Sequence, residues 1–277
     1  MKDKIILGIK GFFMGIANII PGVSGGTLAI TMGIYEELIE AISHFFTKLK
    51  KNINFLIPII IGALLSIVIG SKVIGFSLEE YPLPTILFFT GLILGGLPML
   101  YRKIKGNFKP LNIIIFILTF AIIIGLMFLK SGDSVTFNNM NILGYIMLFI
   151  VGMVAAATMI IPGISGSFML MVMGYYKPII NTINDLTAFN NIGTNIAILM
   201  PFGIGVLVGI VLIAKLIEFL FKKFEVPTYF GIIGFVLASI IGIFTSTENL
   251  SFSILPFIIG IVLFILGFVI AIKLGDE

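Results

Sequence analysis

Pro21-Gly22-Val23-Ser24-Gly25-Gly26-Thr27 interrupts an apolar run that would otherwise form one buried helix, and Pro162-Gly163-Ile164-Ser165-Gly166-Ser167 does the same past the middle of the chain. Proline removes an amide donor and glycine relaxes the backbone. Unpaired amides facing hydrocarbon are too costly to tolerate, so such breaks belong inside protein or beside a wet cavity. Two broken helices at matching places in two halves are the sequence pointer to a transporter's binding site.

The surrounding composition sets the medium. Of 277 residues, 59% are hydrophobic and 11% charged, and the mean hydropathy is +1.21. A soluble domain carries about 25% charge, so the chain reads as an all-α polytopic membrane protein. No basic surface interleaved with aromatics points to nucleic acid. There is no cysteine, hence no disulfide or thiolate chemistry. The single histidine, His44, makes a metal site an unfavoured reading, and no cofactor is implied. Lys2, Lys4 and Lys10 precede the first apolar stretch, but further membrane segments follow it, so the N-terminus reads as retained.

The two breaks belong to a duplication. At an offset of 141, Pro21-Gly22 falls on Pro162-Gly163, Ser24 on Ser165, Gly25 on Gly166, Gly33 on Gly174 and Tyr35 on Tyr176. At an offset of 143, Pro58 and Gly62 meet Pro201 and Gly205, and Gly91 meets Gly234. Chance among apolar sequences explains shared isoleucine but not shared proline, glycine, serine and tyrosine. The expected halves are 1–130, with a re-entrant hairpin over 5–48 and spans at 53–70, 84–100 and 112–129, and 141–277, with a hairpin over 142–180 and spans at 196–221, 228–244 and 254–272. Together they make one integral membrane domain.

If each break marks a hairpin that enters and leaves on one side, the N-terminus, Lys48, Lys50, Lys51, the basic run of Arg102, Lys103, Lys105 and Lys109, and Lys222 and Lys223 share a side. Only Lys72, Lys130 and Lys177, of 17 lysines and arginines, fall opposite. That positive-inside bias puts both termini in the cytoplasm. Three spans follow each hairpin, so the halves are expected to be inverted repeats. Glu79 and Glu80 are expected in a short loop, and 181–195 in a polar one.

A helix that starts at Ser24 to Thr27 offers free amides, hydroxyls and the positive end of its dipole, and the same holds at Ser165, Gly166 and Ser167. Such a terminus suits an anion, phosphate especially. A plain kink is the bland reading of one such break, and two symmetric copies weaken it. The Gly-x-Ser-Gly strings also resemble the serine motif of intramembrane proteases, but that chemistry needs a facing histidine, and His44 sits on an amphipathic stretch. Among ionisable residues near the membrane, Lys10 and Glu36 are the candidates for ion coupling or charge pairing, with snorkelling as the rival explanation.

The doubled Pro-Gly-x-Ser-Gly, with Gly33-Ile34-Tyr35-Glu36 and Gly91-Leu92-Ile93-Leu94-Gly95-Gly96-Leu97-Pro98, resembles a prokaryotic membrane family long called domain of unknown function family 368 and now described as polyprenyl-phosphate transporters. The likeness covers essentially the whole chain. It implies a flippase that returns undecaprenyl phosphate, the cell-wall lipid carrier, across the cytoplasmic membrane by alternating access. By the same likeness, the substrate phosphate would be bound by Pro21, Gly22, Ser24, Gly25, Gly26 and Thr27, and by Pro162, Gly163, Ser165, Gly166 and Ser167. This chain departs from its own first copy at Ser167-Phe168, which stands where Gly26-Thr27 does, so the hydroxyls are placed differently. No Walker-type loop is present, so an ion or lipid gradient would supply the energy. The rival functions are a small-anion channel or ion-coupled anion exchanger, and a non-transporting scaffold. Membrane lipids are the implied surroundings, and dimerisation is left open.

Overall fold

A computed structural model describes residues 2–18, 20, 23–129, 132–137, 140–247, 250 and 253–276. Among them the regular structure is helical: α1 (Lys2–Ala17), α2 (Gly25–Thr31), α3 (Tyr35–Ser43), α4 (Leu49–Leu65), α5 (Ser71–Glu80), α6 (Pro82–Ile104), α7 (Pro110–Met127), α8 (Ile142–Ile160), α9 (Gly166–Val172), α10 (Tyr176–Thr187), α11 (Ile192–Lys223), α12 (Glu225–Ser246) and α13 (Ile254–Asp276). A π-helical segment, Ser66–Gly70, extends α4 toward α5.

Among the described residues, seven helices are long and apolar enough to cross a membrane: Leu49–Gly70, Pro82–Ile104, Pro110–Met127, Ile142–Ile160, Ile192–Lys223, Glu225–Thr245 and Ile254–Gly275. The protein is therefore a multi-pass membrane protein. Six of the seven overlie the six spans read from the sequence. The seventh is α8, read there as the first arm of the second hairpin; its counterpart α1 has 16 residues. Two polar stretches differ from expectation. Glu79 and Glu80 end α5 rather than occupying a loop, because Pro82, fixed for a helix start, puts the break after them at Tyr81. Most of 181–195 is helical too: α10 runs to Thr187 on an amphipathic pattern, and α11 begins at Ile192.

The order long helix, break, seven-residue helix, short helix and long helix occurs twice. Both seven-residue helices end alike. Gly33 (φ +73°) and Gly174 (φ +78°) take the left-handed conformation. Ile34 N–H then reaches the Ala29 carbonyl, and Tyr175 N–H that of Leu170. This is the Schellman closure that frees the chain to turn.

Packing repeats as well. α1 lies along α4, and α8 along α11. A Cβ on Gly62 would stand 2.0 Å from the Gly8 carbonyl oxygen, and one on Gly205 would stand 2.0 Å from that of Phe149. No side chain fits at that separation, so each long helix is held backbone to backbone against the one carrying the break. The other spans pair crosswise. α6 packs along α13, and α7 along α12. Gly91 makes the close approach in the first pair, to Phe264, and Gly234 in the second, to Phe116. The main core gathers Ile20, Val23, Leu28, Met32, Phe89, Ile93 and Val236 around α2 and α6.

Candidate functional site

The two breaks meet. Thr27, fully buried on α2, accepts a hydrogen bond at 2.9 Å from the amide of Gly163 in the second break. Gly163 has φ +86°, a conformation that glycine adopts without strain. Gly26 faces the end of α8 closely enough that a Cβ there would stand 2.7 Å from the Ile160 carbonyl oxygen. That carbonyl also accepts from the Tyr35 hydroxyl at 3.2 Å. A helix end leaves carbonyls unpaired, and Tyr35 supplies one of the missing partners.

Each first turn satisfies itself differently. Ser24 is the N-cap of α2, extended at φ −117° and ψ 139°, and its hydroxyl oxygen accepts from Gly26 N–H at 3.1 Å. The Gly25 amide donates to Asn18 Oδ1, also at 3.1 Å. An oxygen that accepts from an amide keeps its own O–H to give. At the second break Ser165 is extended at the N-cap of α9 but makes no capping bond; its hydroxyl pairs with that of Ser167 at 2.6 Å. The substitution of Ser167 for the first copy's glycine thus redirects the capping hydroxyl. A cavity of about 40 Å3 adjoins Gly163 and Ser165, little more than one water's share of volume.

Of the residues singled out from sequence, Gly26 and Thr27 meet the second break at Ile160 and Gly163, and Ser24 and Gly25 share their first turn. On the other side, Ser165 borders the small cavity with α7 and α12, Ser167 pairs with it, Gly166 packs on α8, and Pro162 lines a groove beside Tyr35. Pro21 and Gly22 lie outside the described residues. Lys10 is buried on α1, at 4% exposure. Glu36 is exposed in the first turn of α3, where its carboxylate stands 3.5 Å from Lys103 Nζ and accepts from the Tyr229 hydroxyl. Lys103 also lies over the Tyr229 ring, 5.3 Å from its centre. These contacts tie α3 to α6 and α12.

His44 ends α3, with Nε2 2.8 Å from Glu218 on α11. Glu218 in turn holds Lys222 at 2.5 Å. The ring is thus engaged with a carboxylate on α11, not with either serine. Nearby, the Lys48 ammonium, 2.7 Å from Glu40, holds that carboxyl below the usual carboxylate range. Sequence reasoning missed Asn18, Lys103 and Tyr229. Asn18 was findable, since an Asn just before a break is a common local partner for free amides. Lys103 and Tyr229 carry no local signal.

The fold and junction define a class: a multi-pass helical membrane protein with two interrupted helices in contact at its interior. A family model described as "VCA0040-like: Undecaprenyl phosphate translocase-like" matches residues 14–255, and the chain belongs to that family. It is 36% identical over 275 residues, 96% of this chain and 94% of the relative, to a protein of Staphylococcus aureus (strain NCTC 8325 / PS 47) named polyprenyl-phosphate transporter. It is 31% identical over 261 residues, 89% of this chain and 79% of the relative, to a protein of the same name from Vibrio cholerae serotype O1. No solved structure matches.

Proposed function

We propose that this chain carries a polyprenyl phosphate across the cytoplasmic membrane by alternating access, with the phosphate held between the two breaks. The observation that carries this reading is the Thr27–Gly163 hydrogen bond, which joins the two interrupted helices directly. In the closed junction that bond and the Ser24–Gly26 bond satisfy the donors internally. A phosphate arriving there would replace them, accepting from Gly163 N–H and from the hydroxyls of Thr27 and Ser24. Ser165 and Ser167, released from each other, would donate from the second side. Pro21 and Gly22 are included by their match to Pro162 and Gly163.

On this reading the halves are inverted repeats built on re-entrant hairpins, with both termini cytoplasmic, and the lysine distribution supports that orientation. The matched close approaches at Gly62 and Gly205 support two equivalent rocking units. Transport makes and breaks no covalent bond, so no catalytic group is called for. The phosphate exchanges one set of donors for another as it moves, while the tail stays in apolar surroundings.

Reconstitution into vesicles with labelled polyprenyl phosphate tests the proposal. The headgroup should change sides faster than in protein-free vesicles, and equal rates would refute it. Flux of small anions that added polyprenyl phosphate does not compete would favour an anion channel instead.

A further inference from the structure

The chemistry of a phosphate-headed lipid recurs away from the two breaks. A cavity of about 210 Å3 between α2, α3, α6, α11 and α12 has Glu36, Lys103 and Tyr229 in its wall. An apolar groove of about 490 Å3 runs between α7, α11 and α12 to Pro162. Tyr35 and Ile232 line both. A small chamber with a cation and an apolar trough therefore adjoin at Tyr35 and Ile232. Leu111, Leu216 and Phe224 are exposed on the lips of the trough. Their exposure opens it sideways, toward the acyl chains that surround a membrane helix.

The pair in the chamber is poised for exchange. Lys103 and Glu36 stand 3.5 Å apart, with side chains 45% and 53% exposed. An ion pair that long and that wet holds its partners weakly. A phosphomonoester brings about two negative charges and three acceptor oxygens at pH 7, against one charge on Glu36. It also has a second donor waiting in the Tyr229 hydroxyl, which now serves Glu36. A carboxylate cannot stay beside the incoming phosphate, so Glu36 must swing away, and its exposed position lets it.

We infer that Lys103 and Tyr229 form a docking site for the phosphate of a prenyl phosphate whose tail lies in the trough, the phosphate displacing Glu36 from Lys103. The inference rests on the lipid-phosphate reading above and adds a site that this reading does not contain. Charge complementarity at Lys103 and the apolar wall shared at Tyr35 and Ile232 select one amphiphile over a bare anion or an uncharged lipid.

The test is binding of geranylgeranyl phosphate, and of inorganic phosphate as competitor, to the purified full-length protein in nanodiscs. Lys103→Gln should weaken geranylgeranyl phosphate by about tenfold or more, the loss of a charged hydrogen bond, and Lys103→Arg should retain binding. Gly231→Phe grows a ring into the trough, since a Cβ there meets only Thr119 and Ile115 methyls at 3.4 and 3.5 Å. It should weaken the prenyl compound and leave competition by inorganic phosphate unchanged. A diazirine on the prenyl tail should label residues 227–235 of the unaltered protein, a readout that needs no variant to fold.

Unchanged affinity in Lys103→Gln, or labelling confined elsewhere, overturns this inference alone. Equal affinity for inorganic and prenyl phosphate, insensitive to Gly231→Phe, makes the chamber a free-phosphate site and overturns the tail assignment. Failure of the unaltered protein to bind geranylgeranyl phosphate at all overturns the transport reading together with it.

Discussion

Thr27→Val removes one acceptor and little else. The side chain keeps its branched shape and is fully buried, so no water can replace the lost oxygen. The Gly163 amide, now given at 2.9 Å, is left without that partner. Stranding a buried donor costs about 1–3 kcal/mol. For a chain of 150–250 residues each 1 kcal/mol lowers Tm by about 2–4 °C, so the variant should melt about 2–12 °C below the unaltered protein. Thr27→Ser retains the oxygen and should recover most of the loss. Thermal unfolding of the detergent-purified proteins, followed by tryptophan-free probes such as far-UV circular dichroism, measures it. If Thr27→Val melts within a degree of both the unaltered protein and Thr27→Ser, the two breaks do not touch through this bond, and a shared chamber for one anion loses its structural basis.

Ser24→Ala and Ser165→Ala should each weaken phosphate-headgroup binding by one to two orders of magnitude, since a hydrogen bond to a charged group is worth about 1.5–3 kcal/mol; titration of a labelled prenyl phosphate reads this, and unchanged affinity in both removes the site. Ser24→Ala should also lower stability by about 1 kcal/mol through loss of the α2 cap, whereas Ser165→Ala, which removes no cap, should not. Gly62→Ala and Gly205→Ala should each destabilise by about 1–3 kcal/mol or more, because the added carbon meets backbone oxygen at 2.0 Å and both helices must part; a melting curve unchanged in either would contradict the close packing. Tyr35→Phe should cost about 0.5–1.5 kcal/mol for the lost bond to Ile160, measured by the same melts.

The breaks and spans were legible because their signals are local. Pro-Gly inside an apolar run marks an interruption wherever it stands, and about twenty apolar residues mark a crossing. The offset of 141 anticipated that α2 and α9 would begin and end at corresponding residues. Polar stretches misled: Glu79, Glu80 and 181–195 read as loops because charge and amide groups resemble solvent-exposed turns, yet an amphipathic helix carries the same composition. The partners of Glu36 were not legible at all. Lys103 lies 67 positions along the chain and Tyr229 lies 193, and only the way α3 docks on α6 and α12 brings them together. Ser24 and Ser165 look equivalent in sequence. Their different bonds follow from one neighbour, Ser167, whose consequence depends on side-chain rotation rather than on spacing.

The crosswise pairing of α6 with α13 and of α7 with α12 bears on how the chain is made. α6 leaves the ribosome well before α13, the helix that covers it. Two thirds of its most apolar stretch is buried in the folded protein, so it must wait in lipid until α13 is made. Its buried hydroxyls are suited to the delay: Thr85 and Thr90 donate to carbonyls of Tyr81 and Ile86, close behind them in the chain. A nascent chain cut off before α13 would keep those bonds and still present an uncovered glycine seam at Gly91 and Gly95, the kind of surface on which membrane quality control acts.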